Sequence, residues 1–193
     1  MTAALMVTAL RERETPLVRV GVSPHAPYTV SDRLYEAVAR YAEDEGLSVA
    51  VHIAESEVER RLVEEGKGVF ADGLRKRDIP VHPRARSSVE LLERTGVLGR
   101  RPLMIHCVRV DGQDVAAIAS HDCAVAHCPA SNAKLGHGIA PLSEMLEAGV
   151  RVGLGSDSVA SNNRMDLFDE ARLAVLMQRT RVLPREARAL ARA

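Results

Sequence analysis

The chain has 193 residues, 46% of them hydrophobic, and its 26 Lys+Arg balance its 26 Asp+Glu for a formal net charge of +0. That neutrality leaves no basic field to attract a phosphate backbone, which argues against a nucleic-acid partner, and the apolar stretches are strand-sized, which argues against a membrane span. One domain over 1–193 can bury a sizeable core, yet a full eight-stranded barrel of strands and helices takes about 250 residues. Cys107, Cys123 and Cys128 form no Cys-x-x-Cys pair and sit in or beside strand-like runs, as buried thiols do in a reducing compartment. The start, MTAALMVTALRERET, lacks the features of a signal peptide, so a soluble cytoplasmic protein is expected.

In chain order, residues 3–13 carry apolar side chains at helix spacing and lead into a first strand, LVRVGV (17–22). Ser31 can cap a helix with Leu34, Val38 and Tyr41 as its inward stripe, closed by Gly46. A strand over 47–53 follows. Ser56 then caps SEVERRLVEE, where Glu59 would complete a capping box before Gly66 ends the helix. The segment 66–96 is rich in glycine, proline and charge up to its short helix (89–96), and reads as a loop-and-helix insertion at the mouth. Strand 102–108, helix 111–120, strand 122–127, helix 141–148 and strand 150–155 alternate at short intervals. Arg164–Arg179 predicts an amphipathic helix with Met165, Phe168, Leu173, Leu176 and Met177 mostly on one side, and 180–193 a helical tail. The strands are near-continuous apolar runs, as when both faces of a parallel sheet are covered.

Five strand-like runs end in polar or metal-binding residues: SPHAPYT (23–29), VAVHIAES (49–56), LMIHCV (103–108), VAHCPASN (125–132) and VGLGSDS (152–158). In a barrel of alternating strands and helices such endings converge on one mouth. His52 and Glu55 can share one side of a turn, placing a metal-binding imidazole beside a proton-carrying carboxylate. Each piece alone also has a plainer reading. Asp157 could cap the segment after it, His106 could bond a backbone carbonyl, His25 could sit in a proline-set turn, and SNAKLGHG could be a structural loop.

Taken jointly, SPHAPYT, VHIAES, IHCV, HCPASNAKLGHGIAP and GLGSDSVASNNRMDLFDE resemble the metal-dependent amidohydrolase superfamily, in its methylthioadenosine/S-adenosylhomocysteine deaminase and aminodeoxyfutalosine deaminase branch, related to chlorohydrolases. The resemblance implies an α/β fold: a partial TIM (β/α)8 barrel of about five parallel βα units matching strands four to eight. It implies one divalent metal, zinc, with iron or manganese as alternatives, held by His52 and Asp157. Glu55, His106 and Asp157 would be catalytic, with Glu55 the proton shuttle, and His25, Glu55, Ser131 and Asn132 would contact substrate, with Lys134 nearby. The implied reaction is hydrolytic deamination of an amino-purine nucleoside or a related heterocyclic amine. Removal of chloride or an amine from a triazine or guanine-type ring is the neighbouring alternative, and an inactive fragment that binds metal weakly and self-associates is the alternative of another kind. The family's His-x-His pair is absent from this chain, so impaired activity alone and homo-oligomerisation through open sheet edges are expected. Arg84 and Arg86 are candidates to bind an anionic part of a substrate.

Overall fold

The computed structural model describes the backbone of residues 3–190 and the side chains of 5–181. Five parallel strands lie side by side in chain order: β1 (Gly21–Val22), β2 (Ser48–Ile53), β3 (Leu103–His106), β4 (Ala124–His127) and β5 (Arg151–Leu154). Each crossover carries a helix: α2 (Asp32–Asp44); then α3 (Glu57–Glu65), α4 (Val69–Arg75) and α5 (Ser88–Arg94); then α6 (Gly112–Ser120); then α7 (Pro129–Lys134) and α8 (Leu142–Glu147). Helix α1 (Ala3–Arg11) precedes the sheet, and α9 (Val159–Asn162) and α10 (Leu167–Leu190) follow it. This is an α/β fold whose strand order and helical crossovers match part of a (β/α)8 barrel.

Register carries the strand ends to a common level. Ile53 pairs with His106 and His127 with Leu154, and bonds from Cys107 N–H to Ile53 O and from Gly155 N–H to His127 O extend the ladders beyond the strands. On one face Val49, Val51, Ile53, Met104 and Val125 are buried with Tyr35, Leu92, Ile118 and Met145 from the helices. Alternate residues on the other face are only half-buried or exposed. Coverage of both faces, expected from the continuous apolar runs, is therefore not found: five strands supply no opposing wall to the inner face.

Several other expectations are corrected. β1 is shorter than 17–22 because the Thr15 hydroxyl takes the N–H groups of Leu17 and Val18 in a local turn. The inward stripe of α2 is Tyr35, Ala39 and Ala42, and Leu34 faces out. Residues of SNAKLGHG that read as loop form the end of α7, with Pro129 in its first turn. Helix α10 continues through Pro184 to Leu190, and residues 191–193 of the expected tail lie outside the described residues. It turns Glu170 and Ala174 inward and leaves Phe168 and Leu176 exposed, because the Glu170 carboxylate takes the Ala130 N–H and the Asn162 amide. Among the described residues no helix is long and apolar enough to cross a membrane.

Candidate active site

The strand ends place His25, His52, Glu55, His106 and Asp157 around one hollow. His52 leaves the half-open face of β2, and its N–H bonds the His25 carbonyl at 2.9 Å. The two rings lie 5.3 Å apart, and His52 lies 5.5 Å from His106. Strand alternation would turn His106 toward the helices with Met104. A left-handed backbone at His106 (φ 78°) and Cys107 (φ 47°) breaks the alternation and brings the imidazole to its neighbours in the hollow. Asp157 (φ 56°) is left-handed too, and Ser158 rather than Asp157 caps α9.

His52, His106 and Asp157 each present one donor atom, all within 4.8 Å of one another. A cation bound about 2.0–2.2 Å from its ligands draws tetrahedral donors to about 3.4 Å, so a modest contraction would close this set on an ion. The protonation states also suit one. Burial first, then the neighbouring His106 and His25, lowers the His52 pKa and keeps its ring neutral. Burial opposes the Asp157 charge, but hydrogen bonds from Ser161 and Ser131, joined by His106 and His52 when these carry a proton, outweigh it and hold the carboxyl below its ordinary range. His106 Nδ1 bonds the Asn132 amide oxygen at 2.9 Å, which leaves Nε2 buried without a hydrogen-bond partner. A neutral imidazole such as that of His52 and an ionised carboxylate are what a divalent cation requires.

Glu55 closes one side. Its Oε1 lies 3.4 Å from His106 Nε2 and 3.3 Å from His137 Nε2. Ser131 Oγ donates to Asp157 Oδ2 at 2.8 Å, so Ser131 and Asn132 support the cluster from α7 through Asp157 and His106. The Thr29 hydroxyl donates to Ala26 O, so His25 Nδ1 donates to Thr29 at 2.9 Å and keeps Nε2 as an acceptor. Tyr28 meets the His25 ring edge-on at 5.5 Å and stacks on Phe70 at 4.4 Å. Burial, then Glu55, Glu59 and Asp157, pushes its phenol up to about 12.

Three expected substrate contacts are spent elsewhere. Arg84 bonds Asp32 and the carbonyls of Pro27 and Val30. Arg86 pairs with Asp111 and Asp114, and the Lys134 ammonium holds the Ala160 carbonyl and Asn163. A cavity of about 580 Å³ lies beside the cluster rather than over it, lined by Tyr28, Leu62, Leu74, Ile79 and Arg84 among others. His137 was not among the expected site residues, although its place between Gly136 and Gly138 in SNAKLGHG was a usable signal. Glu170, given no role there either, accepts from the Asn162 amide of α9, which also holds the carbonyl of Ser156 just before Asp157.

The amidohydrolase family model matches residues 3–192. The chain belongs to the amidohydrolase family. It is 38% identical over 167 residues to the 5-methylthioadenosine/S-adenosylhomocysteine deaminase of Bacillus cytotoxicus, a match covering 86% of this chain and 34% of that protein. Among solved structures, a zinc-bound adenosine deaminase from Xanthomonas campestris superposes with a TM-score of 0.74 at 28% identity, covering 92% of this chain and 37% of the other. The zinc complex of atrazine chlorohydrolase from Arthrobacter aurescens gives a TM-score of 0.73 at 26% identity, over 92% of this chain and 36% of the other. The chain thus spans about a third of the length of these relatives.

Proposed function

We propose that this chain carries the carboxyl-side half of the active site of a hydrolytic deaminase acting on an amino-purine nucleoside. The observation that carries the reading is the cluster itself: His52, His106 and Asp157 within 4.8 Å of one another, with Glu55 3.4 Å from His106. The resemblance to the Bacillus deaminase supports the substrate class.

His52 and Asp157 would hold a divalent cation, and zinc is favoured by the zinc-bound adenosine deaminase likeness. When bound, such an ion supplies a water acidified to about neutral pH. His106, fixed by Asn132 through Nδ1, steadies negative charge on the oxygen that approaches the ring carbon bearing the amino group once its Nε2 carries a proton. Glu55 Oε1 carries a proton to the adjacent ring nitrogen, and ammonia leaves after a second proton transfer. His137 confines the Glu55 carboxylate from its other side, and His25 Nε2 is placed to accept a hydrogen bond from a sugar hydroxyl. The absence of a His-x-His pair from the chain supports weak cation binding and low turnover by this polypeptide alone. Exposed apolar groups at Leu17, Leu154 and Phe168 support self-association.

Two other readings each have one observation in their favour. Hydrolysis of chloride or an amine from a triazine or guanine-type ring is supported by the chlorohydrolase likeness, and an inactive metal-binding fragment by the missing His-x-His pair. Zinc titration of the chain, followed by assays of ammonia release from 5′-methylthioadenosine and adenosine and of chloride release from atrazine, separates the three. Low ammonia release by the chain alone, falling about 10²-fold or more in Glu55→Gln with zinc binding retained, is the expected result. Chloride release alone favours the second reading, and zinc binding with neither product favours the third. Failure to bind zinc overturns the site.

A further inference from the structure

Helix α3 buries one acid completely. Glu59 has no exposed surface and no cationic partner among the described residues, yet its carboxylate is hydrogen-bonded on three sides. Ala54 N–H donates to Oε1 at 2.8 Å, Glu55 N–H to Oε2 at 3.0 Å, and the Ser88 hydroxyl to Oε1 at 2.7 Å. The capping-box reading put this side chain on the Ser56 N–H; it reaches instead to the two residues that follow β2. Ala54 holds a left-handed backbone (φ 50°), a conformation that costs an alanine about 1–2 kcal/mol. Its carbonyl is fixed from the opposite side by the N–H groups of Val108 and Arg109 at 2.8 and 2.7 Å.

We propose that Glu59, braced by Ser88, is a positioning residue: its carboxylate grips the Ala54 and Glu55 N–H groups and sets the direction in which the Glu55 side chain leaves the strand. The inference rests on the reading of Glu55 as the proton carrier. Stability alone gives no reason for a carboxylate at this place. Burial pushes its pKa up to about 7 against the hydrogen bonds from Ser88, Glu55 and Ala54, and an apolar residue of similar volume avoids that desolvation. The ionised group is suited to one task here, accepting two N–H groups at once from a turn that carries a reacting side chain. Ser88 is the first residue of α5, so the segment between α3 and β3 is tied by this hydroxyl to the geometry of Glu55.

Glu59→Gln tests it, because the two N–H groups bond different carboxylate oxygens and the amide nitrogen that replaces one of them donates and cannot accept. In the full chain, hydrogen exchange followed by NMR is expected to quicken about tenfold or more at Ala54, Glu55 or both, and to stay unchanged at Val51 and Met104 in the sheet. With 5′-methylthioadenosine, kcat is expected to fall about 10- to 100-fold while KM and zinc affinity stay within about threefold. Ser88→Ala should show the same pattern more weakly. Unchanged exchange at both amides, or quickening spread evenly over the sheet, overturns the proposal. So does unchanged kcat with quickened amides, provided that Glu55→Gln measured in parallel loses turnover. If Glu55→Gln keeps full turnover, it is the reading of Glu55 as proton carrier that fails. If the chain turns over no substrate, the exchange result alone decides the clamp.

Discussion

Ser131 Oγ donates to Oδ2 of Asp157 at 2.8 Å, and Ser161 donates to the same oxygen, which leaves Oδ1 facing His52 at 3.9 Å. Hydrogen bonds of this kind orient a ligand oxygen, and losing one costs about 10- to 100-fold in metal affinity. Ser131→Ala is expected to weaken zinc binding about tenfold, the smaller effect because Ser161 keeps its bond. Calorimetric titration with zinc checks it, and an unchanged affinity would show that Ser131 does not set the carboxylate.

The pH dependence of stability should carry the mark of His127. It is buried at the end of β4 and neither ring nitrogen has a hydrogen-bond partner, and burial lowers its pKa from 6.5 to about 4. A folded-state value below the unfolded one means stability that is present above pH 6.5 and lost as pH falls toward 4. The shift corresponds to about 3 kcal/mol. Glu59 acts with the opposite sign: its folded value near 7 lies above the ordinary 4.5, so its contribution is lost as pH rises between the two. Thermal melts of His127→Leu against the parent from pH 7 to pH 4 isolate the histidine, and the variant should lose less Tm on acidification.

The three cysteines are buried and unpaired. Burial raises the Cys107 thiol furthest, Cys128 to about 12 and Cys123 to about 11. Reactivity follows the thiolate, so the folded chain should react slowly with an aromatic disulfide reagent at pH 8 and release its full three equivalents in denaturant. Rapid labelling of the native protein would place a thiol at the surface.

Gly66 ends α3 with φ 63°, and a Cβ there would meet the His82 carbonyl carbon at 2.9 Å. Gly46 has nearly the same φ, 61°, with nothing within 4 Å. Urea unfolding should show Gly46→Ala costing about 1 kcal/mol and Gly66→Ala clearly more. Equal losses would mean that the 82–83 backbone yields.

Residue types and spacing made the strand ends legible, because a parallel α/β arrangement sends them to one side and the chain offers His52, Glu55, His106 and Asp157 there. What could not be read was rotation about local axes. The inward stripe of α2 fell one residue from the expected place, and α10 turned Glu170 inward in preference to Phe168, since a buried carboxylate bonded to the Ala130 N–H outranks the apolar pattern. Arg84 and Arg86 looked available because their acids, Asp32 and Asp111 with Asp114, are remote in sequence and meet them only through the fold. Glu59 was recognised by its spacing from Ser56, but its actual partners follow from the curl at Ala54, which no helix-capping rule encodes.

Ala54, His106, Cys107 and Asp157 all hold backbone angles that glycine tolerates more cheaply. A protein under pressure only to resist heat would drift toward glycine at these places, relaxing the main chain and erasing two of the three donor groups in the same step. Thermal hardening of this scaffold that is also screened for retained zinc binding should therefore leave His106 and Asp157 untouched and draw its gains from the helical layer, where backbone comfort and chemistry do not compete.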